Sequence, residues 1–209
     1  MAEKALLCVD LQYDFYEDGA LAVPGASEIN PRINELMDSD GYRTIAASQD
    51  WHPPEHMSFA KNHDKDPFTE YEGENEGIGP VLWPVHCQQD TRGAAFHEDI
   101  NTRRFDMIMR KGQKKMIDSY SAFQDNNGRD LGLADYFRGL DIEVIDIAGL
   151  ALDVCVYYSV CDALKYGFEV NLIRPAARGV NARPGDVEEA LKDMKERGAE
   201  IIDDIEKVV

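Results

Sequence analysis

Six short apolar runs, rich in valine and isoleucine, alternate along the chain with segments of helical period, and few folds accommodate that alternation. Runs that are apolar throughout, rather than at every second residue, belong to strands buried on both faces. With helices between them they specify a parallel sheet enclosed by two helical layers. The runs are Ala5–Val9, Thr44–Ala47, Phe105–Met109, Glu143–Ile147, Glu169–Ile173 and Glu200–Ile202. The helices read as Ser27–Met37, with Ser27 as cap and Pro31 in its first turn, then a short Asp130–Phe137. Asp153–Tyr166 follows, closed by Gly167, and Val187–Arg197, introduced by Gly185-Asp186 and closed by Gly198. The 209 residues carry no internal repeat and no Gly/Ser-rich linker, so residues 1–209 read as a single domain. The expected class is α/β, three layers α/β/α around a six-stranded parallel sheet.

Forty acidic against twenty-two basic side chains leave a formal charge of −18. Such a field repels phosphate backbones and anionic headgroups, so neither nucleic acid nor membrane is an expected partner. The cysteines, at 8, 87, 155 and 161, form no C-x-x-C pair or disulfide framework, and no apolar run has the length of a signal peptide core or a membrane span. A soluble protein in the reducing cytoplasm is expected, with a homo-oligomer left open.

Residues 48–104 break the alternation. They hold no long periodic segment, prolines at 53, 54, 67, 80 and 84, both tryptophans and all five histidines. Long irregular stretches within compact domains are commonly functional, and this one reads as a folded excursion that builds a site. A second irregular stretch, Gly112–Gly128, is expected to cover the same region.

In open parallel sheets ligands lie beyond the carboxyl ends of the strands, where polar residues distant in sequence converge. Asp10 follows the first strand, Asp50 and His52 the second, Lys111 the third, and Cys155 lies just past the fourth at a helix start. Asp10, Lys111 and Cys155 combine into a nucleophile with two charged helpers: the helix dipole and the ammonium favour the thiolate, and Asp10 can take the thiol proton. Each alone has a blander reading, Cys155 as helix core and Asp10 as a turn residue. Cys8, Cys87 and Cys161 keep that blander reading. Asp50, His52, His56 and His86 offer the carboxylate and imidazole ligands of a Zn, Fe or Mn site, against the alternative of a solvated histidine-rich loop. His52-Pro53-Pro54-Glu55-His56 has the H-x-x-E-H spacing of a metalloprotease helix, but adjacent prolines forbid that helix. His63, among charged neighbours, reads as solvated.

Taken together, Cys8-Val-Asp-Leu-Gln-Tyr-Asp-Phe15, Ser48-Gln-Asp-Trp-His-Pro53, Leu82-Trp-Pro-Val-His-Cys87, Arg110-Lys-Gly112, Ser119-Tyr-Ser-Ala-Phe123 and Gly149-Leu-Ala-Leu-Asp-Val-Cys-Val156 resemble the nicotinamidases (pyrazinamidases) of the isochorismatase-like cysteine hydrolase superfamily. Ala20-Leu-Ala-Val-Pro-Gly25 and Arg178-Gly-Val-Asn181 extend the likeness, which covers nearly the whole chain. The resemblance implies a metal-dependent amidohydrolase that converts nicotinamide, and pyrazinamide, to the acid and ammonia. It implies a triad of Asp10, Lys111 and Cys155, and one divalent metal ion, zinc before iron or manganese, on Asp50, His52 and His86 with His56 optional. It further implies a cis Leu150-Ala151 peptide, an oxyanion hole from the amides of Ala151 and Cys155, and a substrate pocket walled by Phe15, Trp83, Tyr120 and Ala151. Two segments depart from the family pattern. Leu152-Asp153-Val154 stands where Thr-Asp followed by Tyr or His is common, and Gln113–Asp118 lengthens the loop after Lys111. A rival within the superfamily acts on isochorismate or another amide, but such relatives generally lack the Asp-Trp-His and later histidine pair. A ligand-binding pseudoenzyme and a metal-only hydrolase are the rivals of other classes.

Overall fold

The computed structural model describes residues 2–208. Its six strands are β1 (Glu3–Val9), β2 (Thr44–Asp50), β3 (Met107–Lys111), β4 (Ile142–Leu150), β5 (Glu169–Arg178) and β6 (Glu200–Ile202). They form one sheet in the order β3-β2-β1-β4-β5-β6, and every pairing is parallel. The helices are α1 (Asn30–Asp38), α2 (Leu133–Arg138), α3 (Tyr157–Lys165) and α4 (Asp186–Glu196). This is the expected three-layer arrangement. Among the described residues no helix is long and apolar enough to cross a membrane.

Alternation along β1 divides the core. Ala5, Leu7 and Val9 face a cluster that includes Leu133 and Phe137 of α2, Val160 of α3 and Met194 of α4. Leu6 and Cys8 face the opposite cluster, built on Ile33, Leu36 and Met37 of α1. Each large aliphatic side chain so enclosed contributes about 1.5–3 kcal/mol relative to an exposed one. Cys8 belongs to this core, and burial pushes its thiol up to about 12. All four cysteines are free.

Several boundaries differ from the expected ones, each for a local reason. β3 begins two residues later than the apolar run and ends at Lys111, because Phe105 packs edge-on against Phe96 and the Asp106 carboxylate accepts from the Ile45 amide. Lys111 therefore closes the strand, opposite Asp50, which closes β2. β2, β4 and β5 all run beyond their apolar cores. α1 starts at Asn30 after a 3-10 turn over Ala26–Ile29, and the hydroxyl and amide of Ser27 donate to Glu17 instead of capping a helix. α2 starts at Leu133, since the Asp130 carboxylate is spent on the Gly132 amide and the Tyr166 hydroxyl. The segment expected as one helix from Asp153 is a π-helical turn, Leu152–Val156, followed by α3.

The chain leaves β1 through β2 to β3 on one side, then returns to lay β4 on the other. The strand order reverses between β1 and β4, and such switch points open the crevice in which α/β proteins bind ligands.

Candidate active site

Four adjacent strands end at this crevice, and each delivers one charged or nucleophilic group. Asp10 follows β1 with φ 49°, a left-handed conformation uncommon outside glycine, asparagine and aspartate. It is held there by Ser48 of β2, whose hydroxyl receives the Asp10 amide (3.2 Å) and donates to Oδ1 (2.7 Å). Lys111 Nζ lies 2.9 Å from Asp10 Oδ2, 2.6 Å from Asp50 Oδ1, 3.0 Å from the Ser119 carbonyl and 3.6 Å from Cys155 Sγ. Its ammonium thus sits at the centre of the three chemically capable groups. Carboxylate oxygens of Asp10 and Asp50 and the Cys155 sulfur all lie within 4.8 Å of one another.

Burial is nearly complete for this cluster. Desolvation alone would strip the charge from Lys111, yet Asp10 and Asp50 outweigh it and raise its pKa well above the usual range. Burial likewise opposes ionisation of Asp50, but Lys111 and then His52 hold its carboxyl far below ordinary carboxylates. Asp10 differs. Burial raises its pKa, Lys111 counters only in part, and Asp50 adds to the rise, so Asp10 is a stronger base than a surface aspartate. The thiol of Cys155 is raised too, by burial first; Lys111 opposes the rise, and Asp10 and Asp50 add to it. An ammonium already matched by two carboxylates has little field left for a third anion, which leaves Asp10 as the group placed to take the thiol proton.

Cys155 lies within the π-helical turn that follows β4. The Ala151 carbonyl accepts from the amides of both Val154 (3.0 Å) and Val156 (3.1 Å), and this widened turn carries the thiol into the crevice. Such turns recur at functional positions. The Leu150-Ala151 peptide is cis, as the resemblance implies.

Beside the triad, Asp50 Oδ2 faces two imidazoles, with His52 Nε2 at 3.6 Å and His86 Nε2 at 3.9 Å. Each ring is oriented from behind by a backbone carbonyl, His52 Nδ1 on Gly112 (3.0 Å) and His86 Nδ1 on Pro84 (2.8 Å). Both Nε2 atoms are thereby aimed forward. The Nε2 of His52 is buried and has no hydrogen-bond partner among the described residues, which suits it to act as a ligand atom. One oxygen and two nitrogens converging from buried residues fit a divalent metal. His56 does not join this set. Its Nδ1 meets Ser58 Oγ at 2.7 Å and its Nε2 the Ile117 carbonyl at 3.3 Å, while burial and neighbouring His52 push its pKa down to about 4. It groups instead with His52 and Asp118. His63, expected to be solvated, is half-buried with Nε2 2.7 Å from the Met57 carbonyl.

Gly112 is fixed by this arrangement. Its φ is +65°, and a Cβ there would lie 2.3 Å from Cε1 of His52. The Gly112→Ala variant is expected to lose about 1–3 kcal/mol of stability and to bind zinc roughly 10–100-fold more weakly. Thermal denaturation and competitive zinc titration of the same preparation measure the two effects.

A cleft over Cys155 is walled by Phe15, Trp83, Tyr120 and Ala151, all four of the expected pocket residues, and reaches Asp50 and His86. The indole of Trp83 donates to the Tyr120 hydroxyl (3.1 Å), which donates to the Gly79 carbonyl (2.7 Å), so the two rings brace each other. Leu21, Asp118, Val154 and Val180 complete the wall and were not among the expected residues. Leu21 and Val180 lie in the segments that extend the family likeness. Asp118 and Val154 fall in the two segments that depart from it.

Residues 4–206 match the family model described as the isochorismatase domain. The chain is 41% identical over 202 residues to the nicotinamidase of Escherichia coli, covering 95% of this chain and 94% of that protein. Among solved structures it is similar to the nicotinamidase pyrazinamidase of Acinetobacter baumanii, with TM-score 0.92, 37% identity, and 100% and 99% of the two chains covered. The pyrazinamidase of Pyrococcus horikoshii in complex with zinc superposes with TM-score 0.75 at 36% identity, over 96% and 98% of the chains.

Proposed function

Because the chain belongs to the isochorismatase domain family and groups there with the nicotinamidases, we propose that its crevice hydrolyses nicotinamide to nicotinate and ammonia, as in NAD salvage, with Cys155 as nucleophile. The observation that carries this reading is the contact of one buried ammonium, Lys111, with two carboxylates and the thiol at the floor of an aromatic cleft.

The thiol proton passes to Asp10 as sulfur attacks the carboxamide carbon. A base strengthened by burial and placed beside the thiol suits this concerted transfer. Lys111 keeps its charge throughout and holds both carboxylates in place. The tetrahedral oxyanion is received by the amides of Ala151 and Cys155, preorganised donors worth about 3 kcal/mol each. The amide nitrogen takes the proton back from Asp10 and leaves as ammonia. Water, deprotonated by Asp10, then cleaves the thioester, releasing nicotinate and restoring the thiol. Phe15, Trp83 and Tyr120 enclose the ring, and pyrazinamide, with the same carboxamide on a similar flat ring, fits the same walls.

Asp50, His52 and His86 would hold one divalent metal ion. The zinc complex of the Pyrococcus relative supports zinc over iron or manganese. When bound, that ion supplies a Lewis-acidic anchor for a ring nitrogen or its water.

Purified protein given nicotinamide is expected to release ammonia stoichiometrically with nicotinate. Treatment with a zinc chelator is expected to lower the rate at least about tenfold and added zinc to restore it. Full activity in demonstrably metal-free protein would remove the metal from the account. Absence of ammonia release in zinc-loaded protein would remove the reaction itself.

A further inference from the structure

The cleft over Cys155 has a neighbour. A larger groove runs alongside it, and Trp83, Val154 and Val180 line both. These three side chains form the partition between the two spaces. Val154 and Val180 are its small members, and Val154 is the one adjacent in sequence to the nucleophile. It is half-buried, packed between the two core clusters, and carries only three side-chain carbons.

Beyond the partition the groove is floored by apolar side chains. Phe68, 59% exposed, stands edge-on to Trp83 with ring centroids 6.1 Å apart, and Val81 and Ala182 continue the surface. The acidic residues along the groove are largely engaged. Asp153 accepts from the amides of Val180 (2.9 Å) and Asn181 (2.7 Å), Asp186 pairs with Arg183, and Asp193 takes the Tyr157 hydroxyl and Arg197. What the groove offers a ligand is therefore apolar surface under a negative field. That combination suits a neutral hydrocarbon group and disfavours a carboxylate.

Resting on the nicotinamide-hydrolysing reading above, we infer that Val154 is a specificity-determining residue. Its small side chain lets the catalytic cleft communicate with the groove, and the groove takes a neutral apolar substituent carried on the ring of an aromatic carboxamide. The substrate class extends to alkyl-substituted or aryl-substituted nicotinamides whose substituent leaves the ring plane between Trp83 and Val180. A tyrosine at 154 would fill the partition and confine the site to unsubstituted rings.

The test is a panel of nicotinamides bearing a butyl or phenyl group at ring carbon 4, 5 or 6, assayed by ammonia release. At least one member is expected to be hydrolysed with kcat/KM within about tenfold of nicotinamide. Val154→Tyr is expected to lower the ratio of kcat/KM for that member over nicotinamide by about 10–200-fold, the range that filling a hydrophobic subsite produces. Ala182→Tyr places bulk in the groove from its exposed rim, away from the cleft. It is expected to leave nicotinamide turnover unchanged while raising KM for the substituted substrate at least about fivefold. Rejection of the whole panel by an enzyme that hydrolyses nicotinamide would overturn the inference and leave the proposed reaction standing. An unchanged ratio in both variants would also overturn it. Failure on nicotinamide itself would instead strike the reading on which it rests.

Discussion

Replacing Cys155 with alanine is expected to reduce ammonia release by roughly four orders of magnitude or more, because the only atom able to form the acyl intermediate is gone. The loss should appear in kcat, with folding stability changed by only about 1–2 kcal/mol, since the change removes one sulfur from a side chain that is buried yet also lines the cleft. Urea titration alongside the assay separates the two. A variant that keeps a substantial fraction of the rate would mean that a metal-activated water attacks directly, and the thiol would then be a wall residue. Cys155→Ser is expected to be nearly as inactive. A hydroxyl is a weaker nucleophile than a thiol, and Asp10 is too weak a base to compensate at neutral pH.

The second large effect concerns Lys111. The variant Lys111→Met keeps most of the volume and deletes the charge, leaving Asp10 and Asp50 buried within 4.8 Å of each other without a cation between them. Breaking a buried ion pair by removing one partner costs about 3–5 kcal/mol, because the remaining charge is neither solvated nor matched. The melting temperature should fall accordingly, and activity should fall by about 10²-fold or more as Asp10 loses the group that orients it. The companion Asp10→Asn/Lys111→Met double variant should recover part of the stability and none of the activity. If Lys111→Met proves as stable as the parent, the ammonium is not the keystone that its distances indicate.

The legible part of this site is the part that strands carry. Asp10, Asp50, His52 and Lys111 stand at the ends of apolar runs, and a parallel sheet obliges such ends to meet, so periodicity alone brings them together. Cys155 was legible as a residue just past a strand. Its surroundings were not: spacing indicates a plain helix start, whereas the π-helical turn depends on how two amides share the Ala151 carbonyl. His86 arrives from an irregular stretch with no period to read, and only its histidine neighbours and the family likeness marked it. Phe15, Trp83 and Tyr120 were found by likeness, because an aromatic residue in a loop carries no local sign of which cavity it walls. Asp118 and Val154 were missed because they sit where this chain departs from the family pattern. The electrostatics around the thiol are hidden for a different reason. Sequence places Lys111 near Cys155 but gives no measure of how fully Asp10 and Asp50 already neutralise it.

The pairing of Asp50 with Lys111 across β2 and β3 has a consequence for how the enzyme fails. β3 is the outermost strand on its side, five residues long, and its side chains alternate between covered and open positions. A slip of one residue would turn the ammonium to the other face of the sheet. The chemistry therefore hangs on an edge strand of the sheet. Loss of that strand's pairing would withdraw Lys111 from Asp10, Asp50 and Cys155 while the pairing of β1 with β4 persists, so inactivation is expected at a lower denaturant concentration than global unfolding.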